Sequence, residues 1–264
     1  MNVFDVDVYR QKLAASGKLS ELLDTYKGEY PEISNISTAE KWDNLSALDC
    51  IPEIRIKRLE RVVDLIDINK KILDIGVGWG DIVPLLTQHN KTVNYTGIDF
   101  SEEIVKKLHD KYPNQRFMHN TVDTLDDNYD CVLVLEVLEH IVPTKLFGFL
   151  KSVNKVLRDK GTLMVTVPLK EDLKINTLVC GSCGSLVNRM GHVRSYSPDL
   201  IKKELEIAGF IVTNSEFVCE GYYGFKGAIK RRLRNIAGRL IGPSTFKQVT
   251  PSCVILKCRK SVEN

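Results

Sequence analysis

The stretch "KILDIGVGWGD", Lys71 to Asp81, constrains the chain more than any other. A short apolar run carries one acid and then breaks into glycines at 76, 78 and 80 before a helical pattern starts. Glycine in that rhythm is needed where a strand turns tightly and its backbone must approach something without a side chain in between. Downstream, short apolar runs alternate with helical patterns, which predicts an α/β domain with a largely parallel sheet. The expected strands are 70–76, 93–99, 115–120, 130–136, 161–168, 210–218 and 252–260. Ser101 before "EE" and Ser197 before "PDL" read as helix caps, and Gly209 as a helix stop.

Upstream, 3–26 and 52–68 read as amphipathic helices separated by a Pro-broken polar stretch, so 1–55 is expected to be a helical extension or lid on a domain from 56 to 264. Substrate-side insertions are expected at 169–197 and 219–251. At 43% hydrophobic and 27% charged residues among 264, the composition is that of a globular chain with a sizeable core. No apolar run reaches the roughly 18 residues of a membrane span, and the first residues lack a signal-peptide pattern, so a cytoplasmic protein is expected. The seven cysteines form no repeating framework and fit reduced thiols, with Cys131 read as strand packing.

Two more motifs follow the glycine turn. "GIDFS" sets Asp99 at the tip of the second strand, 19 residues beyond Gly80, where a carboxylate can accept both hydroxyls of a ribose. "DCVLVLEVLEH" runs a strand into an acidic loop. The spacing of a dinucleotide fingerprint fails, because its third glycine would fall on Asp81.

With "LRDKGTLMVTVP", these motifs in order resemble the class I S-adenosylmethionine-dependent methyltransferases, and most closely the group carrying "EVLEH". The resemblance covers about 56 to 260. It implies a Rossmann-like seven-stranded, mostly parallel sheet with the last strand antiparallel and helices on both faces. It also implies that Gly76, Gly78 and Gly80 shape the pocket for the methionine part of S-adenosyl-L-methionine, with Asp74 near its amino end. Asp99 would take the ribose, Phe100 would lie against the adenine, and Glu136 would touch the cofactor. Where such proteins often carry an acid after the third strand this chain has Thr121, leaving either Asp123 as a substitute or the adenine held by Val122 and backbone alone.

In an open α/β sheet the carboxyl ends of the strands make the site. "EVLEH" and the loop after the fifth strand should therefore meet there. Glu136, Glu139 and His140 share a face if their segment is helical. His140, Glu139 and His192 are the candidate catalytic residues, since a hydroxyl acceptor needs a base or a metal to take its proton cost. Glu136, Glu139, His140 and His192 could together hold a divalent ion, as in metal-dependent members of the resembling group; the plainer reading is a cofactor contact and two surface polar residues.

Cys180 and Cys183, in "VCGSCGSLVNRMGHVRSY", could instead join His192 around zinc, with Cys219 or a water as the fourth ligand. A redox role does not suit a pair in a glycine-rich loop. Finally, residues 221–260 contain ten Lys and Arg and no acid, leaving 27 basic against 34 acidic residues elsewhere. Within this segment 222–241 has the pattern of an amphipathic basic helix, either docked with a solvated basic side or attracting an anionic acceptor or membrane surface.

The expectation is thus an enzyme that methylates a hydroxyl oxygen of a small-molecule, glycan or phosphorylated, lipid-linked acceptor. An RNA 2'-O-methyltransferase and a non-catalytic cofactor-binding regulator are the alternatives; nucleic acid is disfavoured because no RNA-binding module accompanies the basic helix.

Overall fold

A computed structural model describes residues 53–174, 177–179, 186–188, 190–218, 232 and 252–261. The expected helix at 3–26, Cys180, Cys183, Cys219 and nearly all of the basic 222–241 segment lie outside the described residues.

Helix α1 (Glu53–Leu65) leads into β1 (Ile72–Ile75), α2 (Ile82–His89), β2 (Tyr95–Asp99), α3 (Glu102–Lys111), β3 (Arg116–His119) and β4 (Tyr129–Leu135). Then come α4 (Pro143–Val156), β5 (Leu157–Pro168), a hairpin of β6 (Thr177–Val179) and β7 (Leu186–Asn188), α5 (Pro198–Ile207), β8 (Phe210–Val218) and β9 (Cys253–Lys260).

Seven strands form one sheet in the order β3-β2-β1-β4-β5-β9-β8. β1 to β5 pair in parallel, while β9 inserts antiparallel between β5 and β8. This is the mostly parallel sheet with a reversed last strand that the resemblance implies. Strand alternation sorts the core into two layers. Leu73, Ile75, Val132 and Val134 point to α4 and α5, where they meet Leu146, Leu150 and Ile201. Ile72, Cys131 and Leu133 point the other way, to Val62 of α1, Leu86 of α2 and Leu108 of α3. Cys131 is strand packing as read, and burial pushes its thiol up to about 12.

The caps also form as their residues predict. Ser101 accepts from the Ile104 N–H and Ser197 from the Leu200 N–H, each at 3.2 Å, the kind of contact that contributes about 1 kcal/mol. Pro198 opens α5, and Gly209 follows it at φ +83°. β5 begins earlier than the apolar run suggests, at Leu157, and the backbone kinks at Lys160, which sits at φ +63°.

One expectation needs correcting. "EVLEH" does not form a continuous helix: Glu136 follows β4 with φ +56°, a 3-10 turn covers Leu138–His140, and α4 starts only at Pro143. The Glu136 N–H is drawn instead to Thr166 of β5, at 3.0 Å to its carbonyl and 3.1 Å to its hydroxyl.

Candidate functional site

The glycine turn leaves β1 with Gly76, Gly78 and Gly80 at φ +71°, +52° and +69°, a conformation costly for any residue with a Cβ. Their surroundings differ. A Cβ on Gly80 would lie 2.7 Å from Leu108 and 3.0 Å from Tyr112, so this glycine lets the turn pack on α3. Among the described residues, a Cβ on Gly78 would meet nothing nearer than a backbone oxygen at 3.9 Å. That is the place where a ligand can lie on bare backbone.

The turn is tied to the tip of β2. Asp99 accepts from the Gly78 N–H at 3.1 Å and from the Ser101 N–H at 3.0 Å, which fixes the plane of its carboxylate. Phe100 beside it is 36% exposed, an apolar ring facing outward at the same edge. Val122, by contrast, is packed into the core under α4, and Asp123 is exposed on the 3-10 turn after β3. Asp74 is buried on β1 and accepts from the Tyr95 hydroxyl at 2.8 Å. Burial pushes its carboxyl up to about 7, against the opposing pull of that hydrogen bond.

At the end of β4 the acids part company. Glu136 Oε1 accepts from the Thr166 hydroxyl at 2.9 Å, and Oε2 lies 3.0 Å from the guanidinium of Arg58 on α1. Glu139, three residues on, is fully buried, and neither of its carboxylate oxygens has a hydrogen-bond partner on another of the described residues. Burial first, and the charge of Glu136 second, hold its proton well above the usual carboxylate range. Beside it, His140 has Nδ1 3.2 Å from the Gly191 carbonyl, and the His140 and His192 rings meet edge to face at 4.8 Å. Glu139, His140 and His192 each offer a ligand atom, all within 4.8 Å of one another. Of the four expected residues these three cluster among the described residues, while the Glu136 carboxylate is engaged by Arg58 and Thr166.

Residues 51–215 match the family model described as a methyltransferase domain. The chain belongs to this methyltransferase family. Among solved structures it resembles an S-adenosylmethionine-dependent methyltransferase from Archaeoglobus fulgidus, with a TM-score of 0.57 and 20% identity over 79% of this chain and 94% of that one. It also resembles magnesium protoporphyrin IX methyltransferase from Synechocystis PCC 6803, with a TM-score of 0.54 and 16% identity over 92% and 99% of the two chains. A third, the N-methyltransferase NodS from Bradyrhizobium japonicum WM9, gives 0.54 and 13% over 84% and 97%. At these identities the likeness is one of fold. A search of curated proteins gives no match.

The residues of this methyltransferase fit the cofactor that its family implies. Gly78, with no described side chain against it, the exposed Phe100 ring and the Asp99 carboxylate that accepts from the Gly78 N–H would suit a ligand with a ribose and a flat base. No helix among the described residues is long and apolar enough to cross a membrane.

Two features escaped the sequence reading. Arg55, Arg58 and Arg61 recur at every third position of α1, and each pairs with an acid on a different element. Arg55 lies 2.8 Å from Asp81 after the glycine turn, Arg58 reaches Glu136, and Arg61 lies 2.7 Å from Glu216 of β8. The spacing was visible, but its partners come from distant parts of the chain. The other is Glu171, which pairs with His192 and carries no motif of its own.

Proposed function

We propose that this S-adenosylmethionine-dependent methyltransferase methylates a hydroxyl oxygen of a small-molecule or glycan acceptor, and that Glu139, His140 and His192 activate that oxygen. The convergence of a buried carboxylate, without a hydrogen-bond partner among the described residues, with two imidazoles at the carboxyl end of β4 carries the reading. A buried carboxylate without hydrogen bonds is costly unless a ligand completes it. A divalent ion is the ligand that best suits one carboxylate and two imidazoles, and it would supply Lewis-acid polarisation of an acceptor oxygen. S-adenosylmethionine, when bound, supplies a methyl group on a sulfonium: the new O–C bond forms as the C–S bond gives its pair to sulfur, and the hydroxyl proton leaves to a base or to solvent.

The chain's own residues would do the rest. Asp99 and the glycine turn hold the donor. Glu136, locked by Arg58 and Thr166, walls the cleft between donor and acceptor. Holding the reacting atoms in line is worth on the order of 7 to 11 kcal/mol in favourable cases. The run of ten basic residues from 221 to 260 favours an anionic acceptor, phosphorylated or lipid-linked, reached in the cytoplasm or at a membrane surface.

The test is methyl-labelled S-adenosylmethionine with host extract fractionated into small-molecule, glycan, lipid and RNA pools, with and without EDTA. Label in one of the first three pools that disappears with EDTA, and with Glu139→Gln, is the expected result. Label in RNA would replace this reading with 2'-O-methylation of RNA. Cofactor binding without label in any pool would point to a regulator that binds S-adenosylmethionine without turnover.

A further inference from the structure

We propose that Glu171 is a positioning residue for this site, orienting His192 so that its Nε2 faces the space shared with Glu139 and His140. The inference rests on the reading of that space as the place of oxygen activation. His192 donates its Nδ1–H to Glu171 Oε2, and the two side chains are only 12% and 16% exposed. An imidazole that spends Nδ1 on a carboxylate keeps Nε2 as its acceptor atom.

Backbone hydrogen bonds brace both partners. On the Glu171 side, Leu169 N–H donates to the Ser252 carbonyl at 2.9 Å and Lys170 N–H to the Tyr196 carbonyl at 2.8 Å. These bonds pin the start of the loop between β9 and the segment leading into α5. On the His192 side, the backbone N–H of His192 donates to Asn188 Oδ1 at 3.3 Å. The N–H of Val193 donates to the carbonyl of Glu139 at 2.9 Å, joining the His192 loop directly to the turn that carries Glu139 and His140.

A role in loop stapling alone explains this arrangement poorly. Glu171 adds a carboxylate to a neighbourhood that already holds Glu136 and Glu139, and its charge acts against ionising Glu139. A staple would serve as well on the outer side of the loop, where solvent screens it. Placed behind His192, the carboxylate instead acts on the one nitrogen that leaves the other facing the cluster.

The test compares the full-length protein with Glu171→Ala and Glu171→Gln by two readouts. The first is the 15N–1H correlation pattern of the histidine rings, which reports which nitrogen carries the proton. Wild type should show His192 as the neutral Nδ1–H tautomer. Glu171→Ala should lose that form, and Glu171→Gln should retain it, since an amide oxygen still accepts from Nδ1.

The second readout is binding of Co2+ alone, followed by its visible absorption. Affinity should fall about ten- to a hundredfold in Glu171→Ala, with smaller loss in Glu171→Gln, while binding of S-adenosylhomocysteine stays within about twofold. An unchanged His192 pattern in Glu171→Ala would overturn the proposal, as would a wild-type ring protonated on Nε2. Should wild type bind no Co2+, the metal reading fails, and the ring pattern still decides the role of Glu171.

Discussion

Gly78 and Gly80 share a motif and a left-handed backbone, yet their substitution should fail in different ways. Gly80→Ala drives a methyl to 2.7 Å from Leu108 in the α3 interface, so thermal denaturation should show a lowered melting temperature with or without ligand. Gly78→Ala meets no described side chain, so its fold should lose only the roughly 1 to 2 kcal/mol of the strained backbone. Its affinity for S-adenosylhomocysteine by calorimetry should nevertheless drop more than tenfold, because the new methyl stands where the ligand would lie. Equal melting temperatures for the two variants would contradict this division. The motif itself announced the turn but not this split, since the distinction lies in Leu108 and Tyr112, some thirty residues away. Glu136 shows the same limit. Its letters suit a helix, and only Arg58 and Thr166, placed by tertiary packing, show why the chain takes a left-handed step there.

Among the elements, α1 behaves as a strap held by three arginines. Arg61 and Glu216 are partly solvated, and Arg61→Ala should cost up to about 1 kcal/mol in urea unfolding, fading with added salt. Arg58→Ala should cost more and depend less on salt, because its side chain is 14% exposed and its loss leaves Glu136 beside the buried Glu139 without a counter-charge. A larger or more salt-sensitive loss for Arg61 would reverse the assignment. Strands and caps were legible because their signals are local: apolar runs bounded by turns, and Ser before Pro or Glu. The strap was not legible in that way, as Arg58 and Glu136 are brought together only by packing of α1 on the sheet. Beyond the described residues, replacing Lys230, Arg231 and Arg234 by Ala tests the basic segment, with a raised KM for an anionic acceptor and unchanged cofactor affinity as the expected outcome.

For the whole molecule, the buried Asp74 couples folding to pH. Its carboxyl titrates near 7 in the fold against an ordinary value of 3.8, mainly because burial disfavours the charge. A raised value means that the folded state holds this proton more tightly than the unfolded chain. The associated stability is complete below about pH 4, declines as pH rises through 7, and is gone above it. The slope can reach about 1.4 kcal/mol per pH unit within that window. Asp74→Asn keeps an oxygen that can accept from Tyr95 and has no proton to lose. Its melting temperature relative to wild type should therefore rise steadily from pH 5 to about 7 and then level off. A constant difference across that range would mean that Asp74 is ionised throughout, and that a cation or water at the glycine turn, rather than its own proton, compensates it.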